Sequence, residues 1–183
     1  MGYSPRVQDF LRMLAELAGR PERVSELLQE VSLTSADLHS FIFFREQFYT
    51  RNLLYQDSHW EVLTLCWQKG QQTPIHDHNG SQGWAYLIAG SLAETIYEVT
   101  NLPAPQDFCL RQTARALFHP REISYINDTM GVHCLANTAE EAAISLHIYS
   151  PLISSCRYYS LAPRETKIKT LCYYSAEGTV LEG

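Results

Sequence analysis

The sequence predicts a mainly β protein, a barrel or sandwich of short strands that follows a small helical N-terminal region. The first third of the chain has apolar residues at helical spacing. From about residue 48, short segments rich in β-branched and aromatic residues alternate with turn residues, which is typical of an all-β sandwich or barrel. No repeat, low-complexity segment or linker interrupts the chain. We therefore predict one domain over 1–183, with the helical region over 1–47 and the barrel over 48–183.

Composition and charge exclude several classes of protein. Hydrophobic residues make up 45% of the chain and charged residues 19%, as in folded globular proteins. The net charge of -6 gives no general attraction for nucleic acid or anionic lipid, and no run of about 18 apolar residues can span a bilayer. The five cysteines are odd in number and lack CxxC spacing, which argues against a disulfide framework and a cysteine zinc site. Without a secretory signal, we predict a cytoplasmic monomer that binds neither nucleic acid nor membranes.

Three helices are predicted in the N-terminal region. The first follows from the spacing of Val7, Phe10, Leu11, Leu14 and Leu17, and Gly19 can end it. The second begins at Pro21, which suits a first helical turn, and repeats the pattern with Val24, Leu27, Leu28 and Val31. Thr34 is a candidate N-cap for a third helix, with Asp37 three residues later. None of these segments clusters catalytic residue types, so we interpret them as structural.

The strands are predicted from short apolar segments between turn residues. They are HWEVLTLCWQ, GWAYLIAG, SLAETIYEV, EISYIND, VHCLAN, AAISLHIYS and KIKTLCYY. The second and third of these segments meet at Gly90-Ser91, which predicts a hairpin between them. The polar, proline-bearing segment NLPAPQDF is predicted to be a loop.

Two histidines stand one residue apart between these strands. Side chains alternate faces along a strand, so His76 and His78 would share a face, about 7 Å apart at Cα, while Asp77 would point away. Two such rings can converge on one metal ion. This spacing alone is as compatible with an exposed polar loop as with a metal site.

A third histidine on a later predicted strand favours the metal site. His133 can reach the same point across a barrel, and three imidazoles on one face leave open positions, as in mononuclear iron sites. Zinc, nickel and copper suit three imidazoles as well. His147 shares a face with Ser145 and Tyr149, either as a hydrogen-bonded core histidine or as a donor that supports a bound ligand. The remaining histidines, His39, His59 and His119, have no such partners and are interpreted as surface or structural.

These motifs resemble a known family. The spacing of Gly70, His76, His78, Gly83 and Gly90 resembles the first cupin motif, and His133 with Asn137 resembles the end of the second. Cupins usually have a glutamate ligand where this chain has Gly83, and a site with three histidines is instead similar to thiol dioxygenases, in particular cysteine dioxygenase. The segments FYTRNLLY, LCWQKGQQTPIHDHNGSQG, YINDTMGVHCLAN and SLHIYSP extend this resemblance, in order, over roughly residues 40 to 160.

The resemblance implies a cupin β-barrel, jelly-roll-like, and a set of site residues. His76, His78 and His133 would bind ferrous iron, Fe(2+). Arg51 and Tyr49 would hold the carboxylate of the substrate, and Tyr149 would direct its hydroxyl at substrate and dioxygen. Ser145, His147 and Tyr149 would form a hydrogen-bonded row, with a cis bond between Ser150 and Pro151. Animal members have a cysteine at the position of Gly83 that is cross-linked to the equivalent of Tyr149, and glycine cannot form that thioether.

The implied activity is oxidation of L-cysteine by dioxygen to cysteine sulfinic acid. Two alternatives remain, a dioxygenase of 3-mercaptopropionate or another small thiol, and a cupin that binds metal or a small ligand without turnover. Arg51 favours cysteine, since related 3-mercaptopropionate enzymes resemble this chain but have glutamine there. Cys156 is interpreted as a buried spacer rather than a thiol at the pocket entrance, and Trp67 as part of the strand core.

Overall fold

The computed structural model describes residues 2–101 and 108–181, which form two β-sheets packed face to face and a helical layer on one of them. The helices are α1 Pro5–Glu16 and α2 Val24–Glu30, with 3₁₀ turns at Pro21–Arg23 and His39–Phe41. The strands are β1 Thr50–Gln56, β2 Glu61–Trp67, β3 Ile75–His76, β4 Gln82–Ala89, β5 Leu92–Asn101, β6 Phe108–Phe118, β7 Ile123–Ile126, β8 Val132–Ala136, β9 Ala143–Ser150, β10 Ser155–Leu161, β11 Arg164–Thr170, β12 Ser175–Ala176 and β13 Thr179–Val180. The predicted mainly β fold is confirmed.

The two sheets have a mixed strand order that brings distant parts of the chain together. The seven-stranded sheet has the order β13-β12-β1-β2-β9-β4-β7, and the six-stranded sheet has the order β11-β10-β3-β8-β5-β6. The short strand β12 runs parallel to β1, while β1 and β2 pair antiparallel. The C-terminal part of the chain therefore lies beside the strand on which Arg51 is found.

The helices cover the outer face of the seven-stranded sheet. Helix α1 begins after Ser4, whose hydroxyl accepts a hydrogen bond from the Val7 amide at 3.3 Å, and it buries one apolar face. Along β9 the side chains alternate, so that Leu146 and Ile148 pack with the helices while His147 and Tyr149 face the other sheet. The inner faces of both sheets enclose a second apolar cluster, into which the candidate site residues project.

The third predicted helix is wrong. Thr34 and Asp37 do form the expected reciprocal contacts, with the Thr34 hydroxyl donating to Asp37 Oδ2 at 2.6 Å and the Thr34 amide donating to the same oxygen at 3.0 Å. The chain then makes only a turn and the 3₁₀ segment His39–Phe41. The Phe41 carbonyl accepts a hydrogen bond from the hydroxyl of Thr64 on β2. In a continuing helix this carbonyl would accept from a backbone amide four residues later, so the contact with β2 replaces a helical hydrogen bond.

The hairpin predicted at Gly90-Ser91 is also wrong. Strand β4 pairs with β7 and β9, whereas β5 pairs with β6 and β8 in the other sheet. Gly90 carries the chain from one sheet to the other at φ 77°, and a Cβ there would lie 2.6 Å from the Ala142 carbonyl oxygen. The turn signal is correct, but it marks a sheet-to-sheet crossing. The predicted loop NLPAPQDF lies outside the described residues except at its two ends, which belong to β5 and β6.

Candidate metal centre and adjoining pocket

Three histidine rings converge between the sheets. His76 ends β3 and is paired directly with His133 on β8, while His78 lies two residues further on, beyond the end of the strand. Asp128 fixes that turn by accepting hydrogen bonds at 2.7 Å from the amides of His78 and Gly80. One nitrogen from each ring lies within 4.8 Å of the others. The two histidines predicted to share a strand therefore reach one point, although only His76 is in the strand.

The orientation of two rings is set by hydrogen-bond acceptors behind them. His76 Nδ1 lies 2.9 Å from the Pro74 carbonyl oxygen, and His133 Nδ1 lies 2.6 Å from Glu94 Oε1. A carbonyl only accepts, so Nδ1 of His76 donates and its Nε2 is left unprotonated for a ligand. Glu94 is buried, and its other oxygen accepts from the Ser124 hydroxyl at 2.8 Å. Such a partner raises the basicity of a ligating imidazole.

Burial favours the neutral form of His76 and His78, which is the form of imidazole that binds metal ions. Burial lowers the pKa of His76 to about 3, with the neighbouring His133 as the second cause. Burial likewise holds the pKa of His78 well below its ordinary value. Within the described residues, His78 Nδ1 is buried without a hydrogen-bond partner. Three converging imidazoles fit a divalent transition metal, and this donor set suits iron, zinc, nickel or copper.

No carboxylate joins the three histidines in the described part of the chain. The cluster of candidate ligands consists of histidines alone. Asp77 points away, as the sequence predicts, and its Oδ1 accepts from the Arg157 amide at 2.8 Å. Two of these histidines, His76 and His133, also line the adjoining pocket.

That pocket is lined on its other side by groups of the seven-stranded sheet. Arg51 on β1 has a side chain only 12% exposed, and its Nε and Nη2 atoms are buried without a hydrogen-bond partner among the described residues. These two atoms form the edge of the guanidinium that pairs two-pronged with a carboxylate. Burial works to lower the pKa of Arg51, but nearby Tyr149 and Glu61 outweigh it and raise that pKa, so the group stays charged.

Aromatic rings complete the wall of the pocket around Arg51. Tyr49 stacks on Trp67 with ring centroids 4.7 Å apart, and the Arg51 guanidinium lies 5.9 Å from the Tyr149 ring centroid. Cys156 is buried in the same wall as a free thiol. Burial raises the pKa of this thiol to about 12, which makes it an apolar spacer rather than a thiolate.

A chain of hydrogen bonds runs along β9 toward the metal-binding rings. Trp67 Nε1 donates to Ser145 Oγ at 3.0 Å, Ser145 Oγ lies 2.8 Å from His147 Nε2, and His147 Nδ1 lies 3.2 Å from the Tyr149 hydroxyl. Burial lowers the pKa of His147 to about 3, so the ring is neutral and has one N–H. If Ser145 donates to Nε2, that N–H is on Nδ1 and donates to Tyr149. The Tyr149 O–H is then free to donate into the pocket.

Gly83 lies directly across the sheet from Tyr149. The two residues are register partners in the pairing of β4 with β9. A Cβ at Gly83 would lie 3.1 Å from Tyr149 Cε1 and 3.4 Å from His78 Cδ2. The resembling animal enzymes have a cross-linking cysteine at this position, whereas this chain has glycine. Tyr149 is instead held by packing and by its contact with His147.

The remaining predicted features are three histidines outside the pocket and a cis peptide bond. His39, His59 and His119 are exposed. The bond between Ser150 and Pro151 is cis. None of the helices in residues 2–101 and 108–181 is long and apolar enough to cross a membrane. Glu94 was missed by the sequence analysis, because SLAETIYEV contains two acidic residues, Glu94 and Glu98, and the sequence does not show which of them is buried.

Comparisons with known proteins identify relatives of this chain. A family model described as cysteine dioxygenase type I matches residues 4–162. A cysteine dioxygenase type 1 from Rattus norvegicus is 30% identical over 176 residues, covering 93% of this chain and 86% of the relative. A Danio rerio relative of the same name is 28% identical, with 86% of this chain and 78% of the relative covered. Among solved structures, a cupin superfamily protein from Desulfitobacterium hafniense matches with a TM-score of 0.46 and 15% identity, over 62% of this chain and 86% of that one.

Proposed function

Because the chain belongs to the cysteine dioxygenase type I family, we propose that this thiol dioxygenase oxidises L-cysteine to cysteine sulfinic acid. One dioxygen molecule is consumed per thiol, and both oxygen atoms end on sulfur as the S–H becomes a sulfinic acid. The reaction balances without an external reductant. The observation that supports cysteine as the substrate is the unpartnered Nε and Nη2 edge of Arg51 in the pocket beside three histidines.

We propose Fe(2+) as the metal held by His76, His78 and His133. A ferrous ion held by these residues would supply the redox chemistry that dioxygen activation needs, which zinc lacks, together with affinity for the substrate thiolate. Glu94 contributes by orienting His133. All three candidate ligands are imidazoles, so no acidic side chain among them would reduce the charge of the ion.

Arg51 and Tyr49 are the groups that we assign to the substrate carboxylate. The buried guanidinium edge gains two hydrogen bonds and a countercharge when a carboxylate binds, which offsets its present lack of partners. Tyr49 stacks on Trp67 and lines the same pocket, so its hydroxyl is available as a second polar group for the substrate. Together these contacts orient the amino acid so that its thiol end faces the histidines.

Tyr149, His147 and Ser145 are assigned to positioning and proton donation at the reacting end. Burial raises the pKa of Tyr149, so its hydroxyl keeps its proton at neutral pH and can donate a hydrogen bond. The neutral His147 ring and the Ser145 hydroxyl fix the direction of that donor through the chain that begins at Trp67. Apolar side chains, among them Leu65, Leu135 and Ile153, line the rest of this pocket.

The proposal is tested by a panel of thiols. The purified protein is loaded with Fe(2+) without oxygen and then given L-cysteine, homocysteine, cysteamine or 3-mercaptopropionate, while oxygen uptake and sulfinate are measured. We expect the highest kcat/KM with L-cysteine and one sulfinate per dioxygen, with the metal-free protein as the control. Preference for 3-mercaptopropionate would identify the sister activity, and absence of uptake with every thiol would contradict an enzymatic role.

Two further expectations from the sequence remain proposals. We propose that the protein acts as a monomer in the cytoplasm, with only the small substrate and dioxygen as partners. The net charge of -6 supports the exclusion of nucleic acid. Light scattering of the purified protein and fractionation of the source cells test these two points.

A further inference from the structure

A buried carboxylate lies beside Arg51 but does not bond to it. Glu61 on β2 is 1% exposed, and its Oε1 lies 3.9 Å from Arg51 Nη2. A hydrogen bond between such groups requires about 2.7–2.9 Å. The charge of Glu61 therefore compensates that of Arg51, while the hydrogen-bonding edge of the guanidinium stays unoccupied.

The acceptors of Glu61 are taken by two other groups. The Tyr173 hydroxyl donates to Glu61 Oε1 at 2.5 Å, and the Ile153 amide donates to Oε2 at 3.4 Å. The tyrosine bond is much the shorter and involves the same oxygen that faces Arg51. Hydrogen bonds to an ionised acceptor are among the strong ones in proteins. Tyr173 thus holds Oε1 back from the guanidinium.

Only a small movement separates this arrangement from a closed ion pair. Shortening the 3.9 Å contact to hydrogen-bond length needs a shift of about 1 Å. A buried carboxylate gains Coulomb energy by approaching a buried guanidinium, so without another donor the pair tends to close. A closed pair would occupy Nη2, which is one of the two atoms that a substrate carboxylate needs.

We propose that Tyr173 is a positioning residue that restrains Glu61 and so keeps the Arg51 edge open for the substrate carboxylate. This inference rests on the proposed function, in which Arg51 binds that carboxylate. Glu61 acts as a fixed countercharge that makes burial of Arg51 tolerable without competing for its donors. Substrate affinity then depends on a hydroxyl that does not touch the substrate.

The C-terminal segment that contains Tyr173 is anchored to the strand of Arg51. The Leu171 amide donates to the Ser154 carbonyl at 2.9 Å, and the Tyr174 amide donates to the Arg51 carbonyl at 2.7 Å. Ser175, two residues after Tyr173, donates a hydrogen bond from its Oγ to Asn52 Oδ1 at 2.9 Å. The family match ends at residue 162, so this restraint lies in a part of the chain that the match does not cover.

The test measures binding of L-cysteine and of cysteamine, which lacks the carboxylate, to the Fe(2+)-loaded protein by anaerobic calorimetry. Tyr173→Phe should weaken cysteine binding about tenfold, since the loss of one charge-assisted hydrogen bond is of that order. Cysteamine binding should change less than about twofold, because it makes no use of Arg51. Tyr174→Phe is the matched control, since the Tyr174 hydroxyl makes no hydrogen bond within the described residues.

Removal of the competing carboxylate should reverse the defect. In the Tyr173→Phe background, Glu61→Gln should restore cysteine binding to within about threefold of wild type, because an amide gains little by approaching Arg51. Glu61→Gln alone should bind cysteine at least as tightly as wild type. Unchanged binding in Tyr173→Phe, no recovery in the double variant, or weaker binding in Glu61→Gln would each overturn the inference. If wild type binds cysteine but does not oxidise it, the proposed function fails while this comparison still stands.

Discussion

Replacement of Glu94 by Gln tests how the metal centre is held. The buried carboxylate accepts from His133 Nδ1 at 2.6 Å and from the Ser124 hydroxyl at 2.8 Å. Gln has nearly the same shape but offers a neutral oxygen to the imidazole. A hydrogen bond to a charged group is worth about 1.5–3 kcal/mol and a neutral one about 0.5–1.5 kcal/mol, so the ring loses roughly 1.4 kcal/mol of support. That difference predicts a metal affinity about tenfold weaker.

The assay is an anaerobic titration of metal-free protein with Fe(2+) against a competing chelator, repeated with Zn(2+), which undergoes no oxidation. Glu98→Gln is a matched control, because Glu98 lies on the same strand β5 and pairs with Arg111 at the surface. It should leave the metal affinity unchanged. Ser124→Ala should weaken it less than about threefold, since the carboxylate stays in place. Equal affinity of wild type and Glu94→Gln for both ions would refute the assigned role of Glu94.

Four other predictions concern the pocket and its pH dependence. Arg51→Gln should raise the KM for cysteine about a hundredfold while changing oxygen uptake with cysteamine much less, and equal loss for both thiols would contradict the carboxylate role. Tyr149→Phe should keep metal affinity but lower turnover or reduce sulfinate per dioxygen, so wild-type turnover and coupling would count against it. Gly83→Ala should lower kcat about threefold with unchanged metal affinity, because its Cβ would lie 3.1 Å from Tyr149 Cε1 and strain the 3.2 Å contact to His147; a kcat equal to wild type would show that the ring adjusts freely. Finally, acid should destabilise the metal-free protein. Burial lowers the pKa of His147 to about 3, whereas the unfolded chain takes up the proton near 6.5, so stability present above pH 6.5 is lost toward pH 3 at about 1.4 kcal/mol per pH unit. Thermal unfolding at several pH values checks this, and His147→Gln should reduce the slope.

The sequence was sufficient for the parts of the site that depend on local spacing. His76 and His78 stand out because one residue separates them, and the row of Ser145, His147 and Tyr149 follows from the period of two in a strand. Each of these two patterns lies within one short segment of the chain, so it can be read without knowing the fold. In the structure the two segments line the same pocket. Arg51 was predicted only through the resemblance, since a single arginine has no pattern of its own, and its role stays a proposal.

The missed contacts join residues that are far apart in the chain. Glu94 lies 39 positions from His133, and Tyr173 lies 112 positions from Glu61. No local pattern records such a pairing, because the order of strands in each sheet decides it. The same cause explains the wrong hairpin, since a turn at Gly90 is compatible with either pairing of the strands that flank it. Strand β6 was missed because most of its residues are exposed and it lacks an apolar alternation.

The two halves of the site belong to different sheets. His76 and His133 are on the six-stranded sheet, whereas Arg51, His147 and Tyr149 are on the seven-stranded one. The distance between the three histidines and the Arg51 guanidinium therefore depends on the side chains packed between the two sheets. These include Leu65, Leu87 and Leu135. Leu65 and Leu135 also line the pocket, so under the proposed function a smaller or larger side chain at either position would change the length of mercapto acid that fits.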